Sequence, residues 1–290
     1  MTERAADLAV ASAPVSRGWR GSRTVANWTK LSAIFRITVA SRTTYLGEML
    51  VRTTFLLIIL FTFAQLWRAT NASQNVTVAT GCTIPQLIWY LVFTEAFVMS
   101  APLMGDNEVD REVRTGDIAY RLTRPLSYPL YHLAAGLGER VLQFSLYLGV
   151  GSAMAVIIVG PIPLAPLPVA SALGTVMVAM VADWVWVFTI SLFSFWIEDT
   201  LGLHLLYRRL LMLLGGMLMP LDALPAWLAR IAYALPFQYL VYRPARLFIQ
   251  GDLSGLFPLL GAQLLFLGAG LVPLLAVYHL GLRRVSAQGG

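Results

Sequence analysis

Apolar residues in this chain gather into runs of about 20, the length an α-helix needs to cross a hydrocarbon core of roughly 30 Å. Six runs predict six transmembrane helices. The first covers about Gly47–Trp67, with its lipid-buried part beginning after Arg52, and the second about Ile84–Met104. The third lies within Glu139–Gly160, and Tyr128–Gly138 before it reads as an interfacial turn that extends it. The fourth covers about Leu167–Trp196, long enough to be tilted, the fifth roughly Leu203–Leu218 and the sixth roughly Leu256–Leu280. The fold class this predicts is all-α and polytopic, with a six-helix membrane domain over 47–282.

Three stretches fall outside the runs. Residues 1–23 are rich in Ala, Ser, Gly and Arg without an apolar period, which predicts a disordered cytosolic tail. Glu3, Asp7 and the short apolar stretch Leu8–Ala13 do not fit a signal peptide. Over 24–46 the residues Val25, Trp28, Leu31, Phe35 and Val39 recur at helical spacing between Lys30, Arg36 and Arg42. That pattern predicts an amphipathic helix lying in the headgroup layer. Pro220–Asp252 is too rich in proline for one continuous span and too apolar for a solvated loop. Two short helices at or dipping into the interface are expected there, around Ala226–Ala234 and Gln238–Ile249.

Composition strengthens the membrane reading. Of 290 residues, 58% are hydrophobic and 12% charged, against about 25% charged in ordinary soluble domains. The net charge of +6 comes from basic residues that flank the apolar runs, so it bears on topology and lipid contact rather than on nucleic acid. With the N-terminus inside, seventeen of the 21 Lys and Arg residues fall on the inner side. Arg68, Arg230, Arg243 and Arg246 fall outside. This bias predicts a multi-pass protein of the cell membrane with both termini cytoplasmic, 283–290 being a short cytosolic tail. Asn71 and Asn75 open Asn-x-Ser/Thr sequons on the predicted outer side, to which no function is assigned. The single cysteine, Cys82, excludes an internal disulfide and a thiolate zinc cluster.

Chemistry-bearing residues are few. The chain has one lysine, Lys30, with no glycine pattern before it, so a phosphate-binding loop of the G-x-x-x-x-G-K-[ST] type is excluded. His132, His204 and His279 are scattered near predicted span ends. Glu95 and Asp183 sit deep in the second and fourth runs, where a carboxylate costs about 2.5–3.5 kcal/mol on insertion scales. Each is expected to face protein or water, either lining a substrate path or holding helices together by hydrogen bonds. Gly149, Gly151, Ala153 and Ala155 predict a close-packing face on the third span. The segment 105–129 is short and highly charged, with Asp106, Glu108, Asp110, Glu112 and Asp117 alternating with Arg111, Arg114, Arg121 and Arg124. On charge alone it is either a solvated loop or a short helix that docks a soluble partner.

Two stretches resemble a known family. TGDIAYRLTRPLSYPLY (Thr115–Tyr131) is similar to a cytosolic segment of the permease subunits of ATP-binding-cassette transporters, type-2 six-helix exporter class. Gly215–Asp252 resembles that family's Pro-Leu-Asp-x-Leu-Pro-x-Trp, Leu-Pro-Phe-x-Tyr and Pro-x-Arg-x-Phe-x-x-Gly, in that order. The resemblance implies that the amphipathic helix is a connecting helix and that 105–129 is a coupling loop. Asp110, Arg111, Arg114, Asp117 and Arg121 are its expected docking residues. It also implies that 220–252 forms extracellular half-helices. A second permease copy or a homologous permease would complete the pathway. No cofactor is expected on this chain; ATP and Mg would belong to a separate ATP-binding subunit. An ion-coupled carrier using Glu95 or Asp183 is the competing class, although no pair of matching broken helices marks an inverted repeat. An intramembrane enzyme lacks a nucleophile–base or metal-ligand set.

Overall fold

The computed structural model describes residues 23–42, 46–70, 80–101, 108–123 and 126–288. The expected N-terminal tail through residue 22, the two sequons, Asp106 and Arg124 lie outside the described residues. The helices are α1 (Arg23–Arg42), α2 (Leu46–Thr70), α3 (Ile84–Met99), α4 (Glu108–Thr115), α5 (Asp117–Leu122) and α6 (Tyr128–Val159). They continue as α7 (Pro166–Leu192), α8 (Leu201–Leu214), α9 (Ala226–Ala234), α10 (Tyr242–Gln250) and α11 (Leu256–Gln288). Among the described residues no strand is present.

Local chemistry sets several boundaries. Thr83 caps α3 in a capping box: its hydroxyl accepts from Gln86 N, and Gln86 Oε1 accepts from Thr83 N at 2.9 Å. Proline occupies the first turn of α3, α6 and α7, where the missing N–H has no helical acceptor anyway. Gly116 separates α4 from α5 at φ +79°, a left-handed conformation that costs a side-chain-bearing residue steric strain.

Among the described residues four stretches are long and apolar enough to cross a membrane: Val51–Ala69, Tyr128–Val159, Pro166–Phe195 and Leu253–Arg284. Two of the six expected spans are shorter as helices, α3 having 16 residues and α8 having 14. The turn expected before the third span is instead the first third of α6, which runs unbroken for 32 residues. Packing explains the continuity. α1 lies along α6, with the Phe35 backbone against Gly138, where an added Cβ would come within 3.1 Å of Phe35 O. The expected apolar stripe Leu31, Phe35, Val39 is half-buried, while Ile37 is exposed. The predicted small-residue face is half right. Gly151 and Ala155 are buried, but Gly149 and Ala153 are exposed, because a two-residue step turns about 200° around a helix. The basic tail expected at 283–290 begins as a continuation of α11, which holds Arg283 and Arg284 and runs to Gln288.

α3 stands at the centre. Its residues Leu87 through Phe97 are all buried, as expected of a helix apolar on every side. α2, α6 and α10 surround it. α9 and α10 occupy the expected short-helix region, α9 with the bounds read from the sequence. Leu221, Ala232, Leu240, Val241, Tyr242 and Ala245 join the same core as α3. A second, smaller core gathers Val109, Ile118 and Tyr128 against Phe188, Leu192, Phe195 and Leu274. It ties α4 and α5 to the C-terminal end of α7, with Leu274 joining from the middle of α11.

Candidate functional site

Three polar clusters are built into this frame. The first lies within the bundle, where α6, α7 and α8 meet. Arg140 Nη1 donates to Asp183 Oδ2, and the Tyr207 hydroxyl donates to Asp183 Oδ1 at 2.7 Å. Arg208 Nη1 stands 3.8 Å from the same Oδ2. The Arg140 guanidinium also covers the Phe97 ring, 4.6 Å from its centroid. Asp183 is 0% exposed, Arg140 4% and Arg208 7%. The second mid-span acid, Glu95, is 1% exposed. Its Oε1 has no hydrogen-bond partner among the described residues.

The second cluster secures α4 and α5. Glu112 is buried and its Oε2 accepts from the Tyr128 hydroxyl at 2.8 Å, with His132 Nε2 3.2 Å away. Arg121 Nη2 lies 2.7 Å from Glu112 Oε1, an ion pair without hydrogen-bond alignment, and donates to Glu108 Oε1 at 2.9 Å. Burial by itself would raise the Glu112 carboxyl. The hydrogen bonds from His132 and Tyr128, with the Arg121 charge, outweigh it and hold the group below its ordinary pKa. Asp110, on the same helix, moves the other way: burial raises it against the hydrogen bond it accepts from Thr200.

The third cluster ties α9 and α10 together. Asp222 accepts from both the Tyr233 and Tyr242 hydroxyls, the latter at 2.7 Å, and pairs with Arg246 Nη1 at 3.2 Å. Arg246 also donates to Thr80 O at 2.8 Å and reaches Cys82 Sγ at 3.5 Å. Cys82 is therefore buried beside α10.

The five expected docking residues divide. Arg111, Arg114 and Asp117 are exposed, Arg121 is half-buried in the Glu112 cluster, and Asp110 is buried. Asp183 is ion-paired and hydrogen-bonded to groups on α6 and α8. Arg140 and Arg208, counted above among the inner-side charges, are buried inside the bundle. Sequence reasoning passed over Glu112, Asp222, Tyr207 and this arginine pair. The available signal was an arginine inside each of two apolar runs facing a third run with one aspartate. Among the described residues no group of His, Cys, Asp and Glu could hold a metal ion.

Long apolar helices around a buried central helix mark a multi-pass membrane protein. A family model described as ABC-2 family transporter protein matches residues 46–289, and the chain belongs to that family. It is thus an ABC transporter permease, the membrane component of a system whose family works with an ATP-binding subunit. No curated protein is similar enough in sequence to count as a relative.

Proposed function

We propose that the chain is the permease subunit of an ATP-driven exporter, paired with a second copy or a homologous permease and powered by a separate subunit that holds ATP and Mg. Beyond the family, one observation carries this reading. α4 and α5 are pinned by Val109 and Ile118, fastened through Glu112, and turn Arg111, Arg114, Asp117 and Tyr120 outward. Such a platform, fixed behind and charged in front, suits a coupling element that receives force from the ATPase.

In this reading α2, α3, α6, α7, α8 and α11 all cross the bilayer, with both termini cytoplasmic. At 1.5 Å per residue α3 and α8 cover only about 24 and 21 Å. α8 is extended by irregular backbone buried in protein, where membranes tolerate it. Beyond α8 this is supported by Tyr90, whose hydroxyl donates to Gly216 O, and by Thr94, which donates to Met217 O at 2.8 Å.

The test has two arms. In a Cys82→Ala background, Ser254→Cys labels with an impermeant thiol reagent in intact cells, and Thr115→Cys labels only after permeabilisation. The combined reversal Arg111→Glu, Arg114→Glu, Asp117→Arg abolishes co-purification with the ATP-binding subunit while the chain still inserts. Reversed labelling, or undiminished ATPase capture, overturns the assignment. The competing ion-coupled carrier retains Glu95, whose Oε1 is unpartnered. Transport that follows an ion gradient without ATP and is lost in Glu95→Gln would favour it.

A further inference from the structure

The Asp183 cluster is unbalanced. Among the described residues Asp183 is the one carboxylate within ion-pair distance of Arg140 or Arg208, so two guanidiniums share one negative charge. Burying a guanidinium without a full counter-ion is costly, and a purely structural pair would not need the second arginine. The geometry adds a direction. Arg140 meets Asp183 through Nη1, while its Nε and Nη2 have no hydrogen-bond partner among the described residues. Those two nitrogens form the side-on edge of the guanidinium, which matches two oxygens of a phosphate or carboxylate. Arg208 Nη1 is likewise without a hydrogen-bond partner and only loosely held at 3.8 Å from Asp183.

The Arg121 and Arg246 clusters do not share this excess. Arg121 sits between Glu108 and Glu112, and Arg246 between Asp222 and the Thr80 carbonyl. Arg52, within α2, donates to Gln143 Oε1 and to the carbonyls of Met99 and Ala101. The Asp183 cluster is thus the point where two buried guanidiniums face one carboxylate, and three proposed spans converge there.

We propose that Arg140 and Arg208 form a binding site for an oxyanion, a phosphate or carboxylate group carried by the transported molecule. Asp183 serves as its internal counter-ion. This rests on the permease reading, because the site is closed here and opens to a ligand only when the spans part. Arg140 supplies a bidentate fork and Arg208 a second charge, while Tyr207 holds Asp183 to one side through Oδ1. Phe97 supports the Arg140 plane from its face. The ligand class is anionic in either of two sources, a lipid headgroup or a soluble oxyanion.

The experiment uses the full chain in nanodiscs and needs neither ATP nor a partner, so its outcome is independent of the coupling test above. Thermal stability is followed in phosphatidylcholine alone, in phosphatidylcholine with phosphatidylglycerol, and in phosphatidylcholine with added inorganic phosphate. Wild type is stabilised by at least one anion source. A rise with phosphatidylglycerol alone assigns the site to a lipid headgroup, and a rise with inorganic phosphate assigns it to a soluble oxyanion. Arg208→Gln melts no lower than wild type in neutral lipid, yet its apparent anion affinity falls about tenfold or more, as loss of a charged hydrogen-bond donor dictates. Arg140→Lys, which keeps the charge for Asp183 but lacks the fork, folds and shows a similar loss. Asp183→Asn gains affinity, because the anion then neutralises both guanidiniums. No response of wild type to either anion overturns the proposal. So does an undiminished response in both arginine variants, or a loss of stability in Arg208→Gln without change in anion response.

Discussion

Two insertions between helices show what the bundle holds firmly and what it leaves separate. The Glu108–Leu122 insertion and the Leu221–Gln250 insertion use one device: a carboxylate gripped by tyrosine hydroxyl and arginine, Glu112 in one and Asp222 in the other. Their apolar backing differs. Leu221 and the buried side of α10 continue the main core around α3, whereas Val109 and Ile118 pack into the smaller core that they share with Tyr128, the end of α7 and Leu274 of α11. Their outer faces differ as well. The first insertion exposes Arg111, Arg114 and Asp117, the second exposes Trp227 (61%) and Ile231. A segment held through a small, separate core opens with less of the bundle than one built into the main core, because local stability follows local burial. A segment continuous with the main core moves only if the bundle moves. The first suits a part that receives force, and the second a part that seals against the headgroup layer.

The sharpest way to break this comparison is to remove the two carboxylates in turn. Glu112→Ala strands a buried tyrosine, a histidine and Arg121, and should cost about 3 kcal/mol of local stability. Hydrogen exchange should show the loss confined to α4, α5 and the first turns of α6. Asp222→Ala should cost less, about 2 kcal/mol, since Asp222 and Arg246 are both partly exposed. Its loss should appear as a lower global melting temperature. A global loss for Glu112→Ala would mean that the small core is not separate.

Acid offers a gentler probe. Glu112 is held below its ordinary carboxyl pKa, so its stabilising contribution is complete above about pH 4.3 and is lost as pH falls from there through its lower folded value. Asp110 is raised, so its contribution has the opposite sign: complete below its ordinary pKa and lost as pH rises through its folded value. Protection of α4 should therefore fall below about pH 4, and Glu112→Gln should remove that fall. The smallest stability effect belongs to the outer faces. Arg111→Glu and Trp227→Ser should each change folding stability by less than about 0.5 kcal/mol. Only the first should reduce ATPase capture, and only the second should weaken contact with brominated lipid.

The sequence makes the helical frame legible because the apolar period and proline punctuation are local signals. Ala226–Ala234 emerges with its bounds intact since Pro225 precedes it and Pro236 follows it closely. What stays hidden depends on distant partners. Glu95 and Asp183 look alike as lone acids in apolar runs, yet one meets two arginines and a tyrosine and the other keeps an oxygen unpartnered. The Arg140–Asp183 contact joins positions 43 residues apart. Gly136 and Gly138 resemble a turn in isolation; Trp184 pressed on Gly136 and α1 pressed on Gly138 show why small residues stand there in an unbroken helix.

That unbroken helix has a mechanical consequence. At 32 residues, α6 is about 48 Å long, well beyond a core of roughly 30 Å. Its first turn carries Tyr128 and His132, which hold Glu112, and Arg140 follows about 18 Å along the rod. For a stiff rod pivoting at its midpoint, a tilt of about 5° sweeps the Tyr128 end through about 2 Å and Arg140 through about 0.5 Å. α6 then behaves as reduction gearing, with a ratio near four to one on that same geometry. Hydrogen bonds depend closely on distance and angle, so under the proposed coupling a coarse stroke at the Glu112 end would arrive at Arg140 as an adjustment fine enough to loosen or restore its hold on Asp183.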